Sequence, residues 1–135
     1  MKKLTLLLIS AIMLTASCKT TAPLQSFSLG KGGGFTGKYD EYLVKSNGEV
    51  YNISNGQSPV LFKTFSKDKI TDIFRKFDGL NISSVNFSHP GNMTSYIRCE
   101  QNNKTWEIKW GDARMPPPQN VLDFFEALWS DIRPK

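Results

Sequence analysis

Apolar residues recur along this chain with two different periods, which separate the predicted strands from the predicted helices. Alternation of apolar and polar side chains is clearest in 94–100 and 105–110. In the second run Trp106, Ile108 and Trp110 share one face, with charged residues between them. The pattern predicts two strands with one buried face and one face in water, joined by a hairpin loop.

The dipeptide Asn47-Gly48 predicts a further hairpin nearer the N-terminus. It lies between the alternating runs 39–45 and 49–53. Asn-Gly favours a type I′ turn, because both central residues of that turn need positive φ. Residues 60–65 are predicted as an additional strand.

Residues 66–77 carry the helical period instead. Counted from Ile70, apolar side chains recur at i, i+3, i+4 and i+7, which places them on one stripe. Ser66 is predicted to cap the start of this helix and Gly79 to end it.

A last helix is predicted after the proline-rich segment 116–118. Its apolar stripe consists of Val121, Phe124, Phe125, Leu128 and Ile132. Together with the hairpins, the two helices predict an α+β fold: a small antiparallel sheet built from hairpins, with both helices packed on one face.

The composition and the absence of known motifs argue against several classes of function. The chain has 135 residues and a formal net charge of +5, but its Lys and Arg residues are scattered, so we expect no binding to nucleic acid. No carboxylate pair or nucleophile motif has a recognisable spacing, so no catalytic residue is predicted. His89 is the only histidine and has no companion ligands nearby, so we expect no metal site and no cofactor.

The N-terminus differs in character from the rest of the chain. Two lysines precede the apolar run 4–14, and small residues follow it up to Ser17. This order is typical of a secretory signal peptide. The apolar run is shorter than the roughly 20 residues that span a bilayer, so residues 1–17 are predicted to be a cleaved signal.

Cys18 follows the small residues directly, and this placement resembles the lipobox of bacterial lipoproteins. In that family the signal is cut before the cysteine, which then carries acyl chains. The resemblance implies lipidation of Cys18 and attachment of the protein to a membrane of the cell envelope. By analogy with lipoprotein sorting in familiar bacteria, Lys19 in place of an Asp after the cysteine implies the outer membrane and not the inner one. Residues 18–29 are then a lipidated tether, and residues 30–135 form a single domain.

If Cys18 is acylated, Cys99 has no partner for an intramolecular disulfide. Alternation places Cys99 on the same face as Ile97, so we expect a buried thiol that packs as a small hydrophobic residue.

Glycines dominate residues 30–38, and their spacing partly matches two phosphate-binding motifs. Both motifs require a strand before them and a helix after them, whereas here a tether precedes and a predicted strand follows. We therefore predict a strand whose glycines permit a bulge or a close approach of backbones. The sharper hypothesis is that this segment binds a partner, with Phe35 either as an anchor or as a core residue. The candidate partner-binding residues are Gly32, Gly33, Gly34, Phe35 and Gly37.

The order of elements resembles that of the emfourin-type inhibitors of thermolysin-like metalloproteases: glycine-rich strand, hairpin, helix, hairpin, proline-rich turn, terminal helix. The motifs that carry the resemblance are 33–37 and the late segment 117–129. These inhibitors are small bacterial α+β proteins that block the protease by protein–protein contact. The resemblance implies a non-catalytic domain whose partner is another protein, such as a metalloprotease. Two alternatives stay open: a small envelope enzyme or ligand-binding domain with a cleft near His89 and Trp110, and a lipoprotein with a structural role in assembly.

Overall fold

The computed structural model describes residues 22–134 of the chain. The predicted signal peptide and Cys18 lie outside the described residues, so both stay predictions. No helix within the described range is long and apolar enough to cross a membrane.

The described residues form one sheet and two helices. The strands are β1 (Ser26–Gly33), β2 (Lys38–Lys45), β3 (Glu49–Asn52), β4 (Val60–Thr64), β5 (Ser88–His89), β6 (Met93–Gln101) and β7 (Lys104–Trp110). The helices are α1 (Lys67–Gly79) and α2 (Gln119–Ile132). The strand order in the sheet is β4-β3-β2-β1-β6-β7-β5, which makes β1 the central strand.

The predicted α+β fold is confirmed, with one addition to its sheet. Neighbouring strands are antiparallel except for β5, a two-residue strand that runs parallel to β7. β5 lies between α1 and β6, in a part of the chain whose sequence has no clear period. The sheet is therefore mixed, although its hairpins are the predicted antiparallel ones.

Both helices cover the same face of the sheet, where the core lies. The ring of Phe27 in β1 stacks on Phe77 of α1, with centroids 4.2 Å apart. Trp110 of β7 meets Phe125 of α2 edge-on at 4.9 Å. All five residues of the predicted stripe of α2 are buried. Cys99 is buried on the same face, as expected, and burial raises the pKa of its thiol.

The predicted tether ends earlier than expected, because β1 begins at Ser26 and not at Gly30. Phe27 and Leu29 are buried under the helices, so residues 26–29 belong to the domain. The serines between them make this segment look like a polar linker, yet Phe27 and Leu29 alternate with them on the buried face of the central strand.

One of the predicted hairpin turns has a different geometry from the expected one. The hairpin at Asn47-Gly48 forms, but only Gly48 has positive φ (98°), so the type I′ assignment is wrong there. At the β6–β7 hairpin Asn102 and Asn103 both have positive φ, 54° and 59°, as a type I′ turn requires.

The predicted start of α1 is confirmed, whereas its end lies beyond the expected stop. The Ser66 side chain caps the helix by accepting a hydrogen bond from the backbone N–H of Lys69 at 3.3 Å. Gly79 is still helical, and Asn81 takes the left-handed conformation that follows the helix, with φ of 49°.

Candidate protein-binding site at the loop end of the sheet

Three connections meet at one end of the sheet, which we call the loop end. They are residues 34–37 between β1 and β2, residues 90–92 before β6, and residues 111–118 between β7 and α2. The backbone N–H of Gly34 donates to the carbonyl oxygen of Asn92 at 2.6 Å, which joins the first two connections.

Glycines allow these backbones to approach one another with no side chain between them. A Cβ on Gly33 would lie 2.7 Å from the carbonyl oxygen of Asn92, and Gly33 also has a φ of 104°. A Cβ on Gly91 would overlap the backbone of Gly111, and one on Gly111 would overlap the carbonyl oxygen of Met93. Close packing of backbone on backbone therefore holds the loop end in one arrangement.

Phe35 lies at the tip of the loop end and is fully exposed, with a relative exposure of 107%. It sits on a short 3-10 turn, Gly34–Thr36, which Gly37 ends with a left-handed φ of 63°. The structure thus places Phe35 in water and excludes the alternative that it is a core residue. A large aromatic side chain on a fixed turn has the properties of a binding anchor.

Met93 extends the apolar surface next to Phe35. Its side chain is half exposed, and its sulfur lies 3.1 Å from the position that a Cβ on Gly34 would occupy. Met93 is a functional candidate that the sequence did not reveal, because its neighbourhood depends on a contact between segments that are distant along the chain.

Two lysines give the loop end a positive flank. Lys31 and Lys38 are exposed, and neither takes part in an ion pair within residues 22–134. Asp40 lies opposite Lys31 in the β1–β2 register, but it pairs with Arg133 at 2.6 Å instead. The two lysines are therefore available to a partner with negative charge.

The five residues predicted to bind a partner have different surroundings. Gly32 is buried in β1, where a Cβ would lie 2.8 Å from Cγ of Tyr39, so its role is the close approach of a neighbouring strand. Gly33 and Gly34 are partly exposed, whereas Phe35 and Gly37 are exposed. The accessible part of the predicted site is thus the turn itself.

A hydrogen-bonded network covers the face of the sheet opposite the helices. The hydroxyl of Tyr96 donates to Glu41, and burial together with this hydrogen bond raises the pKa of Tyr96. The guanidinium of Arg98 lies 4.7 Å above the Tyr96 ring and pairs with Glu107 at 2.6 Å. Burial alone would raise the pKa of Glu107, but hydrogen bonds from Lys109 and Arg98 lower it. The network thus pairs Glu107 with two cations and gives Glu41 the hydroxyl of Tyr96 as a hydrogen-bond donor.

His89 and Trp110, beside which the alternative cleft was expected, line none of four cavities on residues 22–134. They are neighbours in the β5–β7 pair, but Trp110 is buried in the core and the His89 ring packs edge-on against Phe87 at 4.7 Å. Cavities of about 450 and 460 Å³ lie between α1 and α2 and beside the start of β1, and neither is lined by His89 or Trp110. No group of three or more His, Cys, Asp or Glu side chains in the described chain is placed to hold a metal.

A second group of exposed apolar residues lies on the edge strand β4. It consists of Val60, Leu61 and Phe62. A register shift in the β3–β4 pair places a bulge in this strand, Pro59 precedes it, and the Lys63 side chain folds back onto the carbonyl oxygen of Asp131. Bulges, prolines and lysines are devices that keep an edge strand from pairing, so β4 is a weaker candidate than the loop end.

Comparison of the chain with protein-family models and with curated proteins found no match.

Proposed function

We propose that this protein is a lipid-anchored lipoprotein of the bacterial cell envelope whose non-catalytic domain binds another protein through the loop end. Phe35 is the anchor of this interaction. The observation that carries the proposal is the full exposure of Phe35 on a turn that backbone packing holds in place.

The fixed turn favours binding on energetic grounds. Burying a phenylalanine side chain contributes roughly 1.5–3 kcal/mol, and a partner gains this only by supplying an apolar pocket. Because Gly33 and Gly34 hold the turn before binding, little conformational entropy is lost when Phe35 enters that pocket. Met93 adds apolar area beside it.

The positive charges beside Phe35 indicate which groups should surround such a pocket on the partner. Lys31 and Lys38 flank the turn without ion-pair partners of their own within the described residues. A partner with carboxylates around an apolar pocket matches this pattern, since complementary charge accelerates association and excludes wrong partners.

Inhibition of a thermolysin-like metalloprotease is the concrete form of the proposal. The residues 33–37, which carry part of the resemblance to emfourin-type inhibitors, coincide with the exposed tip of the loop end. The confirmed α+β fold also agrees with that resemblance. A protruding turn with an exposed aromatic side chain can occupy the cleft of an enzyme, and Phe35 is fully exposed on such a turn.

Site-specific photocrosslinking tests the binding surface. The aromatic photocrosslinker p-benzoylphenylalanine replaces Phe35 in the full chain, and the same amino acid at Leu61 in the exposed β4 group serves as the matched control. We expect irradiation of cells to give a defined adduct from position 35 that contains a metalloprotease and is absent from position 61. An adduct from position 61 alone would contradict the proposed surface.

The lipid anchor requires its own test. Cys18→Ala removes the thiol that would be acylated, so we expect an unprocessed precursor and loss of incorporated radioactive palmitate. Unchanged processing and acylation of this variant would contradict the lipoprotein assignment.

A further inference from the structure

The folded domain starts at the end of the sheet opposite the loop end. The backbone N–H of Ser46 donates to the carbonyl oxygen of Gln25 at 2.8 Å, beside the β2–β3 turn. The side chain of Gln101 donates to the carbonyl oxygen of Ala22 at 2.9 Å, beside the β6–β7 turn. This end, which we call the entry end, consists of residues 22–25, 46–48 and 101–104.

β1 connects the entry end to the loop end. It has eight residues, from Ser26 to Gly33. At about 3.3 Å per residue, the two ends lie about 25 Å apart.

Residues 22–25 are hydrogen-bonded to the two turns of the entry end, and they determine where a tether would join the domain. Leu24 packs against the core, so the chain is already part of the domain by this point. Cys18 precedes Ala22 by four residues, which span at most about 14 Å when fully extended. A lipid on Cys18 would therefore hold the entry end close to the membrane surface.

On this basis, and resting on the proposed lipid anchor, we propose that the domain stands on the membrane with the entry end down and presents Phe35 to the aqueous phase. Its partner is then a soluble protein that approaches from the side away from the membrane. The surface chemistry of the two ends agrees, because none of the large exposed hydrophobic residues belongs to the entry end. The turns there carry Ser, Asn and Lys residues, which suit the hydrated headgroup region.

A tipped domain is the competing arrangement. Phe35 would then enter the bilayer, and Lys31 and Lys38 would meet anionic headgroups. Upright and tipped arrangements place the loop end at very different depths, so a distance measurement separates them.

Energy transfer to labelled lipid headgroups measures this depth. The full lipidated chain carries a donor dye at Thr36→Cys, next to an unaltered Phe35, or at Lys104→Cys on the entry end. Both positions are exposed, whereas Cys99 is buried and gives only the background labelling of the unsubstituted chain. The protein is reconstituted into phosphatidylethanolamine–phosphatidylglycerol vesicles that contain a headgroup acceptor.

We expect the dye at position 36 to lie about 25 Å farther from the acceptor plane than the dye at position 104, as the length of β1 requires for an upright domain. Equal distances, or a shorter distance for position 36, would overturn the upright arrangement while the protein still floats with the vesicles. Failure to float with vesicles would overturn the lipid anchor, and the orientation with it. Flotation thus distinguishes failure of the anchor from failure of the orientation alone.

Discussion

The backbone N–H of Gly34 donates a 2.6 Å hydrogen bond to the carbonyl oxygen of Asn92, which joins the turn carrying Phe35 to the segment that enters β6. Next to this bond, Gly33 lies so close to Asn92 that there is no room for a Cβ. The position of Phe35 is therefore set by a contact between two connections and not by the β1–β2 hairpin alone.

Gly33→Ala should destabilise the fold more than Gly37→Ala. Both glycines have positive φ, but a Cβ on Gly33 meets the carbonyl oxygen of Asn92, whereas a Cβ on Gly37 meets nothing within 4 Å. We expect a loss of about 2–3 kcal/mol in the free energy of unfolding for Gly33→Ala and about 1 kcal/mol for Gly37→Ala. Urea denaturation of both variants measures the difference, and equal losses would show that the contact with Asn92 does not constrain the turn.

Gly30 and Tyr96 should be energetically coupled, because the tyrosine ring lies over the glycine in the adjacent strand. A Cβ on Gly30 would come within 2.5 Å of Cε1 of Tyr96. Gly30→Ala alone should cost about 1–3 kcal/mol of unfolding free energy. In a Tyr96→Ala background the same change should be neutral, which gives an interaction energy of about 1–3 kcal/mol in a double-mutant cycle. Additive effects in that cycle would contradict the packing of the ring over the glycine.

The hydrogen bond between Tyr96 and Glu41 predicts a dependence of stability on alkaline pH. Burial, followed by this hydrogen bond, raises the pKa of Tyr96 above its ordinary value of 10.0. The unfolded chain therefore releases this proton at a lower pH than the folded chain. The contribution of Tyr96 to stability is fully present below about pH 10, and above it falls by up to about 1.4 kcal/mol per pH unit.

Tyr96→Phe is the matched control for this pH dependence, because it keeps the ring and removes the hydroxyl. The difference in unfolding free energy between the unsubstituted chain and Tyr96→Phe should decrease as the pH rises from about 9 to about 11. Urea denaturation at several pH values checks this. A constant difference across that range would mean that the Tyr96 hydroxyl titrates alike in both states.

Much of the fold follows from local patterns in the sequence. The stripe of α2 and the apolar face of β7 have regular periods and lie on the predicted face. In β6, Ile97 and Cys99 are buried as predicted, but the opposite face is not in water, because Thr94 and Tyr96 are buried there. The start of β1 was not predicted, because Phe27 and Leu29 are too few to distinguish a central strand from a polar linker. β5 has only two residues and therefore no period at all.

The candidate site could be predicted only in part. The glycines of 32–37 indicated a candidate binding segment, since glycine is the residue that allows positive φ and close backbone approach. Whether Phe35 was buried or exposed depended on where the turn sits relative to residues 90–92, and no local pattern contains that information. Met93 was missed for the same reason.

Lys31 and Lys38 should act mainly on the rate of association with the partner. Replacing both with Gln removes two positive charges beside Phe35 while leaving the apolar tip intact. Against thermolysin as the probe protease, we expect association to slow by about tenfold at low salt, with little change in dissociation. Stopped-flow binding at low and high salt measures both rates. The same double change at Lys67 and Lys104, which are exposed and form no ion pair within residues 22–134, is the control, and an equal slowing there would mean that only the net charge matters.

The most direct test of the account compares inhibition of thermolysin by the full chain, by Phe35→Ala and by Leu61→Ala. Phe35 and Leu61 are both exposed apolar residues, but only Phe35 lies at the loop end. We expect the full chain and Leu61→Ala to inhibit alike, Phe35→Ala to be weaker by about 30-fold or more, and all three to have the same urea midpoint. Equal inhibition by Phe35→Ala, or no inhibition by any of the three, would contradict the proposal that Phe35 anchors this protein to a thermolysin-like protease.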